Sequence, residues 1–331
     1  MSHEIHSRCL TKTAYENEVL SVWRKALYSS SYTKFFVKDA CLDQNLSCSL
    51  SQLCPVGYVL YLAEIFSQVT TTATKETYFE YAVVTLGRLS RFTAFPILVL
   101  VANNSWMTWK EELSKLPCLR ENIFLRPIDD SFYVSALGKY GVHQIRPKLK
   151  HAYGTIQVFN PAYTGVFCRA VFVDIDVFVL RNVDELFCFQ QFAVSKRKTF
   201  DGKPNYNGGV FSFSPSKSIH EKFLLEMEIY MKTPGPKKFA MQYLLHKIFN
   251  KKYSCFSDLY NCVGFQLGIP FSTKCGVGNE TDLLLRGKII HGKISSQVFA
   301  NILPSIYDMW HEEKRYLSES LELVSAITEY N

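Results

Sequence analysis

The sequence predicts an α/β protein with a mainly parallel β-sheet flanked by helices. Three observations support this fold class. From residue 57 onward, short apolar runs alternate with segments of helical periodicity. The run that ends at Val173 is apolar throughout, which is typical of a strand buried on both faces. Two aspartates, Asp174 and Asp176, follow it, and sheets of this kind bind ligands at the carboxyl ends of their strands.

The elements follow in chain order. Residues 58–63 form the first predicted strand and 95–102 the second, and a helix is predicted over 74–91 because its apolar positions fall on one face. After these we predict a helix at 106–116, a strand at 122–128, a helical stretch around 152–170 and the strand before Asp174. A short helix at 182–187 is predicted next, with Asn182 as its N-cap. The remaining predicted elements are a strand at 207–213, helices at 216–232 and 239–249, a strand at 288–291 and an amphipathic helix over 298–330. This order predicts parallel β-α-β units.

The composition changes at Gly57, where the alternating pattern begins. We therefore predict an N-terminal extension, mostly helical or irregular, at residues 1–56. The main domain is expected over 57–296, and a C-terminal helical segment over 297–331. The extension is expected to be peripheral to the central sheet.

Charge and cysteine usage exclude several classes of protein. The net charge of the 331 residues is +7, and the basic residues are scattered, which suits a small anionic ligand better than a nucleic acid. No apolar run approaches the ~20 residues of a membrane span, and no signal peptide is recognised. The ten cysteines are spread singly, without a Cys-x-x-Cys pair. We therefore expect free thiols and a cytoplasmic location.

Asp174 and Asp176 are the first candidate functional residues. Charged side chains are rarely buried without a partner, and residues two apart in a strand point the same way. Two such carboxylates can bind a hard divalent cation. Two alternatives remain open at this point. The aspartates could lie in a loop between two short strands and bind only water. They could also form the Asp-x-Asp of haloacid dehalogenase-class phosphatases, whose first aspartate is a nucleophile.

Several short motifs then occur in an order that resembles glycosyltransferase family 8, the group of glycogenin and the lipopolysaccharide galactosyltransferases. They are Asp174-Ile-Asp176, the segment from Asn205 to Ser216, Gln242 to His246, Tyr260-Asn261 and Ile289 to His291. The resemblance covers roughly residues 57–291. It implies a GT-A fold, which is a Rossmann-like nucleotide-diphospho-sugar transferase fold. It also implies a UDP-sugar donor, a manganese ion and retention of anomeric configuration.

The resemblance also implies a metal site. Asp174 and Asp176 match the family's metal-binding Asp-x-Asp, and His291 matches its third ligand. An imidazole beside two carboxylates favours Mn²⁺, with Mg²⁺ as the alternative ion.

The donor sugar is expected to lie beside a glycine turn. Asn207, Gly208 and Gly209 match the family's Asn-x-Gly turn, where the backbone can approach a ligand closely. Gln242 matches the glutamine below the anomeric carbon of the donor. Asn207 and Gln242 are thus the predicted catalytic residues.

The nucleotide is expected at the end of the first strand. Tyr61 and Ala63 match the region that holds uracil and ribose, and Tyr78 lies where the family often stacks an aromatic ring on the base. The family's pyrophosphate lysine is absent from its usual place, and Lys293 is the candidate to substitute for it.

The chain departs from the family at two further points. Met241 stands where an aspartate usually precedes the glutamine, and Lys238 stands where a second acid is expected. The predicted function is a metal-dependent retaining hexosyltransferase that uses a UDP-sugar and an unknown glycan or protein acceptor. The alternative is a divergent, non-catalytic protein that binds a sugar nucleotide or a partner. The assembly that we consider for this protein is a homodimer.

Overall fold

The computed structural model describes residues 17–22, 24–25, 55–63, 78–114, 121–129, 154–189, 192–198, 204–232, 240–250, 252–263, 277–292 and 297–329. The strands are β1 (Val56–Leu62), β2 (Ile97–Ala102), β3 (Ile123–Ile128), β4 (Arg169–Val173), β5 (Val177–Val179), β6 (Ala193–Lys198), β7 (Pro204–Phe213), β8 (Ser254–Phe256), β9 (Cys262–Val263) and β10 (Ile289–His291). The α-helices are α1 (Tyr78–Phe92), α2 (Trp106–Ser114), α3 (Pro161–Thr164), α4 (Lys217–Lys232), α5 (Ala240–Phe249), α6 (Glu280–Arg286), α7 (Gln297–Ile302) and α8 (Pro304–Glu329). Residues 17–22 are also helical.

Seven strands form the main sheet, in the order β3-β2-β1-β4-β7-β6-β8. β1 pairs in parallel with β2 and β4, and β2 pairs in parallel with β3. β7 is antiparallel to both β4 and β6, whereas β6 and β8 are parallel. All strands of this sheet except β7 therefore run in one direction, which confirms the predicted fold class. A second sheet has the order β5-β10-β9.

Side chains along β1 alternate between two hydrophobic clusters. Tyr58, Leu60 and Leu62 belong to the first cluster, and Val59 and Tyr61 belong to the second. Because successive residues of a strand point to opposite faces, the clusters lie on the two faces of the sheet. This arrangement explains why the central strands are apolar throughout. Residues of α1 and α8 pack in the first cluster, and residues of α4 and α5 pack in the second.

An ion triad joins α8 to α1, and in it Glu313 and Arg88 are buried whereas Arg91 is exposed. The carboxylate of Glu313 accepts hydrogen bonds from Arg91 at 2.7 and 2.9 Å and from Arg88 at 3.3 Å. Arg88 also donates from Nε to the carbonyl oxygen of Val179 in β5, at 3.0 Å. The triad thus ties the C-terminal helix, α1 and the second sheet together.

The helical stretch predicted around 152–170 is too long. Helical structure at 154–159 stops at Asn160, which has extended backbone angles and precedes Pro161. A residue before proline avoids the α conformation, and the Asn160 side chain caps the short α3 that follows. Arg169 already belongs to β4. The short strands β5, β6, β8 and β9 and helix α6 are not predicted, because a few residues carry little periodicity.

Asn182 is not the N-cap of the next helix. The observed element is a 3₁₀-helix, Asp184–Cys188, whose N-cap is Val183. Asn182 Oδ1 instead accepts a hydrogen bond from the Asp184 main-chain N–H at 2.9 Å, and its Nδ2 donates to the carbonyl oxygen of Phe92 at 2.6 Å. The side chain thus closes a turn before the helix and anchors it to the end of α1.

The cysteines differ from the expectation. Cys168 and Cys262 each belong to a disulfide bond, whereas Cys188 and Cys255 are not disulfide-bonded. The prediction of free thiols is therefore wrong at Cys168 and Cys262, because cysteines that stand singly in a sequence can still meet in the fold. None of the helices in the described part of the chain combines the length and the hydropathy that a membrane span needs.

Most of the predicted N-terminal extension, residues 1–56, lies outside the described residues. Val19, in the helical segment 17–22, is fully buried in the second cluster. This part of the extension therefore packs on the main domain. The boundary at residue 57 stays a prediction.

Candidate active site

The candidate site forms where β4 ends and the chain crosses to the second sheet. β4 ends at Val173, and the turn through Asp174 and Asp176 leads directly into β5. β5 pairs antiparallel with β10, and this pairing places His291 opposite Val177. His291 is the last residue of β10, so it lies beside the two aspartates although it follows them by more than a hundred residues.

Hydrogen bonds from two other elements hold the turn. The Thr85 hydroxyl of α1 donates to the carbonyl oxygen of Ile175 at 2.6 Å. The main-chain N–H of Asp174 donates to the carbonyl oxygen of Gly209 in β7, at 2.8 Å. These bonds fix the backbone of the turn from which the two carboxylates project.

Asp174, Asp176 and His291 can hold one metal ion. Their ligand atoms all lie within 4.8 Å of one another, and each side chain is partly buried. His291 Nε2 lies 3.1 Å from Asp176 Oδ1. Two carboxylates and one imidazole form a donor set that suits Mn²⁺, whereas Mg²⁺ prefers oxygen ligands and water. The structure thus brings together the three residues that the sequence analysis assigned to the metal.

Strand β7 lies against this cluster. A Cβ atom built at Gly209 would be 2.0 Å from His291 Cε1 and 2.9 Å from Asn207 Oδ1. Asn207 Oδ1 accepts a hydrogen bond from the main-chain N–H of Gly209 at 2.8 Å. Asn207 and Gly209 therefore border the candidate metal site.

Gln242 lies on the helix beside the same strand. A Cβ atom built at Gly208 would be 2.9 Å from Leu245 Cδ1 and 3.9 Å from the side chains of Gln242 and Met241. Gln242 is in the first turn of α5 and is partly buried. Met241 packs against the second hydrophobic cluster. Gln242 thus lies near Gly208, the residue that follows Asn207 in β7.

Asn261 is a site residue to which the sequence analysis assigned no role. Its side chain is 2% exposed. Its Oδ1 lies 3.0 Å from His291 Nδ1, and its Nδ2 donates to Asn207 Oδ1 at 3.1 Å. The signal in the sequence was the position of Tyr260-Asn261 within the ordered motifs, which does not reveal what the amide contacts.

The hydroxyl of Tyr78 interacts electrostatically with the carboxylates of Asp176 and Asp174. Burial raises the pKa of this hydroxyl, and the charges of Asp176 and Asp174 raise it further. Tyr78 is the first residue of α1, so the helix that anchors the turn through Thr85 also brings this ring to the site. The phenol stays protonated at neutral pH and can act as a hydrogen-bond donor.

A tryptophan of α2 holds the residue that follows β1. Trp109 Nε1 of α2 donates to the carbonyl oxygen of Ala63 at 2.7 Å. Tyr61 is 4% exposed, and its ring packs against the backbone of Gly154. Its predicted contact with the nucleotide stays a prediction, as does that of Ala63. Lys293 and Lys238 lie outside the described residues.

No protein-family model matches the sequence, and no curated protein matches it. Solved structures do. The glycosyltransferase GlyE of Streptococcus pneumoniae TIGR4 is similar with a TM-score of 0.51 and 15% identity, over 83% of this chain and 64% of GlyE. The galactosyltransferase LgtC, in complex with donor and acceptor sugar analogs, is similar with a TM-score of 0.52 and 13% identity, over 78% of this chain and 95% of LgtC.

This chain spans less than two thirds of GlyE but nearly all of LgtC. At these identities the likeness concerns the fold. The chain has the GT-A fold of these glycosyltransferases, and the resemblance that its motifs carry is confirmed at that level.

Proposed function

We propose that this protein is a metal-dependent, retaining hexosyltransferase that moves a sugar from a UDP-sugar to a glycan or protein acceptor. The observation that carries the proposal is the cluster of Asp174, Asp176 and His291 where β4 ends, with Asn207 beside it. Ligands of open α/β sheets bind at such strand ends. The GT-A fold supports sugar transfer over the phosphatase alternative, and a net charge of +7 favours an anionic donor.

The three clustered side chains fit a divalent ion, with Mn²⁺ as the proposed metal and Mg²⁺ as the alternative. When bound, the ion supplies charge that stabilises the diphosphate of the leaving group. The chain itself supplies fixed ligand positions, because the turn that carries the aspartates is bonded to α1 and β7. Such preorganisation is the main way in which a protein stabilises developing charge.

Asn207 and Gln242 are proposed to orient the sugar. Because Asn207 Oδ1 already accepts hydrogen bonds from Gly209 and Asn261, its Nδ2 is the atom suited to a sugar hydroxyl. Gln242 offers an uncharged amide beside the glycine pair. An amide can orient a reacting carbon without being a strong nucleophile. Gly208 and Gly209 match the family's turn beside the donor sugar, and their lack of side chains makes room for Leu245 and His291 against the strand.

A specific observation favours a second candidate, a non-catalytic protein that binds a sugar nucleotide. Met241 stands where the family has an acid, and it contributes to a hydrophobic cluster instead. The residues after His291 also lack the family's pyrophosphate lysine at its usual place. Both candidates predict metal-dependent binding of UDP. Only the first predicts turnover.

Calorimetry of UDP binding with Mn²⁺ tests the shared metal site. UDP is expected to bind the wild-type protein with Mn²⁺ and to lose most of its affinity in EDTA. Asp176→Asn should cause the same loss with Mn²⁺ present, because one of the three ligands is weakened. Asp308→Asn makes the same chemical change at an exposed position of α8 and should bind UDP like the wild type. Equal affinity in Asp176→Asn and Asp308→Asn would contradict the assignment.

Location and assembly stay predictions. The disulfide bonds of Cys168 and Cys262 count against the expected cytoplasmic location, because disulfides are rare in reducing compartments. The acceptor, the homodimer and the absence of a nucleic-acid partner likewise await measurement.

A further inference from the structure

A chain of hydrogen bonds ends at His291, and main-chain groups determine which atom donates and which accepts in each of them. It begins at the N–H of Gly209, which can only donate. The nitrogen atom of this group lies 2.8 Å from a side-chain atom of Asn207. That atom must therefore be the amide oxygen, Oδ1, and the orientation of the Asn207 amide follows from the backbone.

The orientation of Asn261 follows in turn. One end of its amide lies 3.1 Å from Asn207 Oδ1 and 3.3 Å from the main-chain carbonyl oxygen of Asn207. Both of these atoms accept hydrogen bonds, so the facing atom of Asn261 must be the donor, Nδ2. The other end, Oδ1, then lies 3.0 Å from His291 Nδ1.

The last step concerns the imidazole. An amide oxygen can only accept, so Nδ1 of His291 must carry the hydrogen. In the neutral ring the lone pair is then on Nε2. Nε2 is the nitrogen that faces the carboxylates, at 3.1 Å from Asp176 Oδ1. A metal ion bound among these side chains would meet the nitrogen that can coordinate it.

We infer that Asn261 is a positioning residue that holds His291 in the tautomer and ring orientation required for metal binding. The inference rests on the proposed metal-dependent function and assigns to this site a residue that is not itself a ligand. Asn261 is 2% exposed, so water cannot readily replace its amide. Gly209 supports the same arrangement, because any side chain there would overlap the imidazole. Partners of this kind typically change metal affinity by about 10- to 100-fold when they are removed.

Two substitutions at Asn261 separate positioning from packing. Asn261→Leu keeps a similar volume but removes the acceptor for His291 Nδ1. Asn261→Asp keeps an acceptor there and removes the donor to Asn207. A matched control is Asn122→Leu. Asn122 is another buried asparagine, which donates to the carbonyl oxygens of Thr93 and Phe95 and contacts none of the site residues named above.

The probe is Mn²⁺ alone, with affinity measured by calorimetry and the nitrogen coupling of bound imidazole measured by electron spin-echo spectroscopy. We expect Asn261→Leu to weaken Mn²⁺ binding by about 10- to 100-fold and to diminish the nitrogen coupling. Asn261→Asp should retain the coupling. Asn122→Leu should lower the unfolding temperature while leaving the Mn²⁺ affinity within about twofold of the wild type, since additive effects are expected of distant sites.

Mn²⁺ affinity and coupling in Asn261→Leu that equal those of the wild type would overturn the inference and leave the proposed metal site standing. Loss of the coupling in Asn261→Asp to the same degree as in Asn261→Leu would also overturn it. If the wild-type protein binds no Mn²⁺, the inference and the metal-dependent function fall together.

Discussion

Replacing Gly209 with alanine tests whether β7 packs against His291, the histidine of the proposed metal site. Gly209 does not have a positive φ, so the cost of a side chain there is steric rather than conformational. The new Cβ would lie 2.0 Å from His291 Cε1. Carbon atoms in contact are about 3.5 Å apart or more, so the ring must retreat by about 1.5 Å. Metal–ligand distances tolerate only about 0.2 Å, and the imidazole should therefore leave the coordination shell.

Calorimetry with Mn²⁺ measures this effect, and we expect Gly209→Ala to lose at least about tenfold in affinity. Gly208→Ala is the matched control for metal binding. Its Cβ would meet the flexible end of Leu245 at 2.9 Å, which can move without disturbing the metal ligands. Both variants should remain folded, at a cost of about 1–3 kcal/mol in the free energy of unfolding. Wild-type Mn²⁺ affinity in Gly209→Ala would refute the packing of β7 on His291.

Three further predictions concern the fold. Glu313→Ala should lower the free energy of unfolding in urea by about 3–5 kcal/mol, because it leaves Arg88 buried without its carboxylate. Glu312→Ala, at an exposed position, should change this free energy little, and equal effects of the two substitutions would contradict the buried pair of Arg88 and Glu313. Burial raises the pKa of Asp184 from 3.8 to about 6, so the native state holds this proton more tightly than the unfolded chain does. The free energy of unfolding should therefore fall by up to about 3 kcal/mol as the pH rises from 4 to 6.5. Asp184→Asn should remove this dependence on pH. Alkylation under denaturing, non-reducing conditions followed by mass spectrometry should leave Cys168 and Cys262 unlabelled, and their labelling would show that the disulfides are absent.

The sequence was sufficient to predict the central strands and to select Asp174, Asp176 and His291, which lie together in the structure. Buried parallel strands are apolar on both faces, so β1, β2 and β4 stand out as apolar runs. The resemblance predicted that His291 lies beside Asp174 and Asp176, although these residues are far apart in the sequence. The pairing of β5 with β10 is the physical reason for their proximity.

The remaining features depend on contacts that no local pattern encodes. Asn261 is an ordinary polar residue in the sequence, and its role emerges because β9 and β10 pair in parallel beside β7. The predicted helix around 152–170 was wrong because Asn160 caps a new helix instead of continuing the old one. The disulfides of Cys168 and Cys262 depend in the same way on which chain segments meet in space.

Turnover of a sugar donor tests the central claim most directly. The wild-type protein should be incubated with Mn²⁺ and each common UDP-hexose, with release of UDP measured and the anomeric configuration of any product followed by NMR. The proposed function predicts metal-dependent UDP release from at least one donor, with retention, and its loss in Gln242→Ala but not in Lys247→Ala, an exposed substitution on the same helix. Absence of release from every donor, in a protein that still binds UDP with Mn²⁺, would contradict catalysis and establish the non-catalytic candidate in its place.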